Sequence, residues 1–248
     1  SKNIPNQTVN PSPSQGNSTI RSSDVVGLSE TRQDRGNLVV SNEEQKDKVE
    51  PTLPSLAESD GYIRGLIADI PVNDLPILEW FDQEELILLF AEALAVFSAG
   101  QVPRSMRGLL QPDGKFFVNN ADGKYFMNAT SYRRFNKLID RFVAISPSAV
   151  AYILKNCEPL FSQALIVIGS EKSFHNLLRD VVRDVSRTPL IYEDIELLRP
   201  KVLYTFADPV LESLSPLQKQ LLRMGPSNIE RIQAYMEGLF IDFGINEN

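Results

Sequence analysis

The sequence predicts a mainly α-helical fold, a single-domain, helical bundle-like arrangement with a small β-hairpin and one short extended segment. Helix-start signals recur along the chain, most densely after Tyr204, where Asp-Pro and Ser-Pro pairs each favour a capped first turn. Apolar residues between these signals recur at helical spacing. The sequence also lacks the alternation of strands and helices that indicates a parallel sheet.

Residues 1–52 differ in composition from the rest of the 248-residue chain. They are rich in Ser, Asn, Gln, Pro and charged residues and include no aromatic residue. A segment of this kind cannot bury enough apolar surface to offset the entropy of ordering its chain. We therefore expect residues 1–52 to form a disordered polar tail or linker, and residues 53–248 to form a single mainly helical domain.

Two capping boxes mark the first helices of the domain. One begins at Ser55 and predicts a short helix to about Ala68. The other pairs Asp82 with Glu85 and predicts a helix to Ala99 whose residues are apolar almost all round. A helix of that kind is expected at the centre of the fold, buried on most sides.

A small β-hairpin and further helices follow. Lys115–Val118 and Lys124–Met127, separated by Asn-Asn-Ala-Asp-Gly, are typical of two short strands. An amphipathic helix is predicted from Thr130 to about Ala144, and Pro159 is expected to break or kink the helix after it. Local signals predict the remaining boundaries: N-caps at Ser173, Asp208 and Ser215 (with Gln218), an extended piece at Val202–Phe206, a helix end at Gly225, and a new capping box at Ser227 with Glu230.

The charge and the reactive residues limit the possible functions. The chain carries −7 at pH 7, and residues 1–52 hold six basic and seven acidic residues, so most of the negative charge belongs to the domain. An acidic domain lacks the positive surface charge that binding to a phosphate backbone needs, and we expect no nucleic acid partner.

Cys157 is the only cysteine and His175, in mid-helix, the only histidine. We predict no catalytic residue, no metal site and no cofactor.

Six basic residues form a candidate anion-binding stripe. Three of them recur at i, i+4 and i+8 on the helix predicted from Thr130, one stands beside them, and two lie upstream. Gathered in space they could bind an anionic polymer or a lipid head group, although a solvated helix face is the commoner use of such a pattern. The six residues are Arg104, Arg107, Arg133, Arg134, Lys137 and Arg141.

Seven polar residues form a second candidate set. Opposite charges at helical spacing in core-forming segments are typical of a buried ion-pair network, or alternatively of a polar cleft. In the second case Asp208 or Glu212 would accept a proton, and Lys219, Arg223 and Arg64 would hold an anion. The set comprises Asp60, Arg64, Asp208, Glu212, Lys219, Arg223 and Asn228.

A resemblance to a known family covers most of the domain, from about Leu53 to Leu239. The string RPKVLYTFADPVLESLSPLQKQLLRMGPSN resembles the signature of a bacterial family of domains of unknown function, number 3014, and the pieces LPSLAESDGYIRGL, YRRF and EPLFSQAL fit the same pattern. The resemblance implies a Gram-negative source and a single membrane helix ahead of a polar linker and the domain. It implies no activity, cofactor or catalytic residue.

Two hypotheses about function follow. The favoured one is a non-enzymatic binding or structural module of the bacterial envelope, tethered to the inner membrane by an upstream segment, with its domain in the periplasm. Its partner would be a protein or an envelope component, with membrane contact only through that anchor. The alternative is an enzyme or anion-binding domain that acts on an envelope polymer or a phosphorylated small molecule through its carboxylate and basic residues.

Overall fold

The computed structural model describes residues 53–70, 80–106, 108 and 110–245. The predicted tail at residues 1–52 and Arg107 of the basic stripe lie outside the described residues. The described chain forms mainly α-helices with a small antiparallel sheet, which confirms the predicted fold class. No helix in these ranges is long and apolar enough to span a bilayer.

The helices of the described residues follow a 3-10 turn at Leu56–Glu58. They meet in one core, where α5 packs along α9 and α2 packs against α5 and α6. In chain order the helices are α1 (Ser59–Ala68), α2 (Leu86–Ser98), α3 (Ala129–Arg133), α4 (Asn136–Phe142), α5 (Pro147–Val167), α6 (Phe174–Ser186), α7 (Pro209–Glu212), α8 (Pro216–Met224) and α9 (Pro226–Phe243).

The hairpin forms part of a sheet with strand order β1-β2-β3-β4. Asp122 and Gly123 have φ values of 52° and 77°, as a two-residue type I′ turn requires, so the first strand begins three residues later than predicted. β3 was not predicted, and β4 is the end of the predicted extended piece. The strands are β1 (Val118–Ala121), β2 (Lys124–Met127), β3 (Glu196–Leu198) and β4 (Thr205–Phe206).

The start of α2 differs from the prediction. Asp82 does not form a capping box; Glu85 stands at the N-cap in a left-handed conformation, with φ of 55°. The backbone amides of Glu85 and Leu86 instead donate to the carboxylate of Asp60 in α1, both at 2.9 Å. The cap of α2 is therefore supplied by another helix.

The predicted burial of α2 is also only partly correct. Its buried residues are Leu86, Ile87, Ala91 and Ala93, while Glu92 is exposed and most of the others are half-buried. Several of these half-buried apolar side chains line a cavity inside the bundle.

The helix breaks differ from the prediction at two places: one break was not predicted, and the break predicted as one possibility at Pro159 does not occur. The helix predicted from Thr130 to Ala144 is interrupted at Arg134 and Phe135, which separate α3 from α4. Pro159, in contrast, lies inside the uninterrupted helix α5. A proline removes one backbone donor, and this 21-residue helix, packed along α9, tolerates that loss.

The junction of α8 and α9 is tighter than predicted. α9 begins at Pro226, so Ser227 lies within its first turn and forms no capping box. Gly225 has φ of 84° and ψ of 160°, an extended conformation that is essentially restricted to glycine. A Cβ at this position would lie 2.5 Å from Cγ of Tyr132, so glycine is also required by packing.

Candidate functional site

A cavity of about 380 Å³ lies inside the helical bundle. Its walls come from α1, α2, α4, α5, α6, α8, α9 and the segments between them, and among the described residues they are apolar or aromatic apart from Gln220. Ligand sites in proteins are typically concave and mostly apolar, with volumes of about 300–1,000 Å³. Representative wall residues are Phe90, Leu94, Phe142, Leu154, Leu178 and Met236.

The cavity accounts for the composition of α2. Phe90, Leu94 and Phe97 are half-buried and line the cavity, so apolar side chains project from α2 into the cavity as well as into packed core. The sequence signal was present, because a helix that is apolar almost all round has more apolar surface than one packing face uses. The surplus has the same pattern whether it faces packed core or a cavity, so the sequence does not reveal the cavity.

Cys157 belongs to the same wall. Its side chain is completely buried, and burial raises the pKa of its thiol to about 11. A thiol in this state is neutral at physiological pH and behaves as a small apolar group.

A polar cleft of about 200 Å³, here called the basic cleft, lies beside the cavity. It brings together three residues of the predicted basic stripe, because Arg134, Lys137 and Arg141 all line it. Asp113 is the one acidic residue in its lining among the described residues. The cleft therefore has three cationic groups and one carboxylate.

Asp113 organises two of these cations. Lys137 Nζ lies 3.2 Å from the Asp113 carboxylate, with both side chains exposed. Arg134 Nε donates to the backbone carbonyl of Asp113 at 3.1 Å, and its guanidinium lies 5.9 Å and 5.7 Å from the ring centres of Phe116 and Phe135. Burial lowers the pKa of Arg134. The side chain of Arg141 makes no ion pair within the described ranges.

Trp80 and Leu138 line both the cavity and the basic cleft. Both side chains are largely buried, with 9% and 7% of their surface exposed. The two spaces therefore adjoin at these two side chains. An apolar cavity and a cationic cleft that share a wall form an amphipathic site.

The other members of the basic stripe lie elsewhere. Arg133 is exposed and donates to Thr130 Oγ1 at 3.1 Å, and Arg104 is exposed and absent from the cleft lining. The predicted spacing assumed one continuous helix. The helix is interrupted between α3 and α4. The residues that share a face are therefore Arg134, Lys137 and Arg141.

Asp60 and Arg64 of the second candidate set bind the chain around the start of α2. Arg64 donates from Nε to the carbonyl of Phe81 at 2.9 Å and from Nη2 to the carbonyl of Gln83 at 2.7 Å. Together with the two amide bonds of Asp60, these contacts hold residues 81–86 against α1. Both side chains have a structural role here.

Glu212, Lys219 and Arg223 do come together. Glu212 accepts from Lys219 Nζ at 3.0 Å and from the backbone amide of Phe206 at 2.9 Å. Arg223 donates to the Lys219 carbonyl at 3.1 Å, and its guanidinium lies 5.1 Å from the centre of the Phe206 ring. Burial opposes ionisation of Glu212, yet the Phe206 amide, Lys219 and Arg223 together hold its pKa below the ordinary value. Burial lowers the pKa of Arg223 despite the opposing charge of Glu212.

The remaining candidates have separate partners. Asp208 caps α7 by accepting from the Val210 amide at 2.8 Å. Asn228 is buried and donates from Nδ2 to the Met224 carbonyl at 2.9 Å and to Asn136 Oδ1 at 3.0 Å. Each of these contacts positions a helix, and the structure does not gather all seven residues in one place.

His175 and the metal-ligating residue types offer no further centre in the described part of the chain. His175 Nδ1 lies 3.4 Å from Glu158 Oε1 on the partly exposed surface between α5 and α6. No group of three or more His, Cys, Asp and Glu residues is arranged to hold a metal ion within the described ranges.

Comparison with known proteins gives one match. A family model with the description protein of unknown function (DUF3014) matches residues 86–239, from the start of α2 almost to the end of α9. Neither the curated proteins nor the solved structures include a significant match to this chain. The cavity walls supplied by α2, α4, α5, α6, α8 and α9 all fall within the matched residues.

Proposed function

This chain belongs to the DUF3014 family of proteins of unknown function, and on that premise we propose that it is a binding module that holds an apolar ligand in the cavity of its helical bundle. The single observation that carries the proposal is the cavity of about 380 Å³ with its apolar walls. An apolar chain that occupies a space of this kind makes dispersion contacts with the walls, as side chains do in a packed interior.

The proposed setting is the envelope of a Gram-negative bacterium. The module would be tethered to the inner membrane by an upstream segment, with the domain in the periplasm and an envelope component or protein as its partner. The resemblance to a bacterial family and the polar composition of residues 1–52, suited to a linker, support this setting. Fractionation of the full-length gene product tests it: we expect recovery with inner membranes, and recovery in the cytoplasmic fraction would contradict it.

Binding of a neutral apolar dye tests the cavity directly. We expect saturable binding of 1-N-phenylnaphthylamine to the whole chain, with a rise in dye fluorescence. Ala93 lies on the cavity wall, so Ala93→Leu should fill part of the space and weaken binding about tenfold. Ala95→Leu is the matched control, because Ala95 is half-buried on the same helix but is not part of the wall.

The outcome is read together with the melting temperature of each variant. A filled cavity should keep or raise the melting temperature of Ala93→Leu while dye binding falls. If Ala93→Leu is folded and binds the dye as the unchanged chain does, the dye site is not this cavity. If the unchanged chain binds no apolar dye, the proposed function is wrong.

The alternative, an enzyme or anion-binding site at Glu212, Lys219 and Arg223, has less support. These side chains contact one another and the backbone of β4 and α8. Structural ion-pair networks have contacts of this kind and also shift pKa values. The Arg223→Ala experiment in the Discussion separates the two roles.

A further inference from the structure

The basic cleft has the opposite sign of charge from the chain as a whole. Three cations and one carboxylate line it, whereas the chain as a whole carries −7. A local excess of positive charge in a concave, partly desolvated place concentrates anions there. The cleft therefore has the chemistry of an anion site.

Two of the cations are suited to an incoming anion in different ways. The guanidinium of Arg134 is held by the Asp113 carbonyl and packed near Phe116, so its orientation is already established. Lys137 pairs with the Asp113 carboxylate, but its side chain is 81% exposed, and exposed ion pairs are weak. A ligand anion can therefore displace Asp113 from Lys137 at low cost.

The shared wall connects this charge to the apolar cavity. Trp80 and Leu138 contribute to both linings, so a ligand whose chain occupies the cavity would reach the cleft with its head by displacing these two side chains. A free anion would use only the cleft, and a neutral chain only the cavity. A molecule with an apolar chain and an anionic head matches both at once.

Resting on the proposed function, in which the cavity holds an apolar chain, we propose that the basic cleft binds the head of the same ligand, and that this ligand is a single-chain amphiphile with a phosphate head. The lining residues leave two positive charges after Asp113 is counted. A phosphate monoester carries about −1.5 to −2 at pH 7, which balances that charge better than a carboxylate does. Arginine and lysine are also the side chains that bind phosphate oxygens most strongly.

Trp80 provides the measurement, since it is the only tryptophan of the chain and lies at the junction of the two spaces. Its fluorescence is followed while the whole chain is titrated with dodecyl phosphate, dodecanol or inorganic phosphate, below the concentration at which micelles form. We expect dodecyl phosphate to bind at least about tenfold more tightly than dodecanol, because charge-assisted contacts add to the chain's burial. Inorganic phosphate should not saturate in the same range.

Removing two positive charges from the basic cleft tests whether the phosphate head binds there. Lys137→Gln combined with Arg141→Gln should weaken dodecyl phosphate binding about tenfold or more and leave dodecanol binding unchanged. Arg133→Gln is the matched control, because Arg133 is exposed nearby but lies outside the cleft lining. Far-UV circular dichroism and the melting temperature verify that each variant is folded.

The outcomes separate this inference from the function on which it rests. Equal affinities for dodecyl phosphate and dodecanol, with no effect of the double substitution, overturn the phosphate head but leave an apolar ligand in place. Inorganic phosphate that binds as tightly as dodecyl phosphate also overturns the inference, since the cleft would then act without the cavity. Failure of dodecanol and of the neutral dye to bind overturns the proposed function itself.

Discussion

Asp60 in α1 caps α2 across 26 residues of sequence, because the backbone amide of Leu86 donates to Asp60 Oδ1 at 2.9 Å. The neighbouring amide of Glu85 donates to the other carboxylate oxygen. Both amides would otherwise be left without a helical partner at the start of α2. The contact therefore joins the first two helices of the domain at a point where α2 has no cap of its own.

The first prediction concerns this cap. Asp60→Ala should lower the free energy of unfolding by about 1–2 kcal/mol, the usual cost of losing a side-chain cap. Asp69→Ala is the control, since Asp69 is exposed at the other end of α1. Urea unfolding at pH 7 measures both. A loss for Asp60→Ala no larger than that for Asp69→Ala would show that the cap contributes nothing to stability.

The second prediction compares two glycines with positive φ. Gly225 and Gly244 have φ of 84° and 86°, but only at Gly225 would a Cβ meet Tyr132. Gly244→Ala should cost about 1 kcal/mol, while Gly225→Ala should cost about 3 kcal/mol or more from backbone strain and overpacking. In a Tyr132→Ala background the cost of Gly225→Ala should fall, which a double-mutant cycle measures. An unchanged cost would assign the whole effect to the backbone.

The third prediction concerns pH. The pKa of Glu212 is below its ordinary value in the folded protein, so its stabilising contribution is complete above the unfolded-state pKa of about 4.3. That contribution is lost as the pH falls through the folded-state pKa. The stability gap between the unchanged chain and Glu212→Gln should therefore shrink when urea unfolding is repeated from pH 6 down to pH 3. In a Lys219→Met background, Glu212→Gln should cost less free energy of unfolding already at pH 6. A cost of Glu212→Gln that stays constant or grows as the pH falls contradicts the prediction.

The fourth prediction decides between a structural and a binding role for Arg223. Arg223→Ala should lower the free energy of unfolding by about 1–3 kcal/mol, because it leaves Glu212 without one of its two cations and removes the contact with Phe206. Arg187→Ala, at an exposed site at the end of α6, should cost much less. An unchanged melting temperature for Arg223→Ala, combined with the loss of a thermal shift caused by a phosphorylated ligand, would instead favour the anion-binding hypothesis.

The fifth prediction uses the thiol of Cys157. Its pKa of about 11 leaves little thiolate at pH 8, so a thiol reagent such as 5,5′-dithiobis(2-nitrobenzoic acid) should react about 200-fold more slowly than with a free cysteine, before steric protection is counted. Unfolding in urea should restore the ordinary rate. Dodecyl phosphate should slow the reaction further, because Cys157 lines the cavity. A rate in the folded protein equal to that in urea would place Cys157 outside a closed interior.

Part of the structure that depends on neighbours in the chain was predicted from the sequence. Asp208 and Ser215 cap α7 and α8 as expected, because each cap bond spans two or three residues. The mainly helical class follows from the same local signals and from the spacing of apolar residues. The cap of α2 was not predicted, since its acceptor, Asp60, lies far back in the sequence.

Features that depend on distant parts of the chain could not be predicted in this way. β3 is three residues long and pairs Leu197 with Tyr125, so it has too few residues to show a strand period of its own. The face containing Arg134, Lys137 and Arg141 depends on the break between α3 and α4, whereas the sequence predicted one continuous helix. The cavity depends on the volume left when seven helices pack, which no local pattern contains.

The contacts of α1 with residues 81–86 have a mechanical consequence. Chain order places α1 directly after the N-terminal segment, and the side chains of Asp60 and Arg64 fasten it to the backbone that follows Trp80. Tension applied to the chain ahead of Leu53 would be transmitted through these four hydrogen bonds to the wall between the cavity and the cleft. If the chain is tethered and binds a ligand as proposed, a pull at the N-terminus would reach the proposed ligand site early and change how long a ligand stays bound.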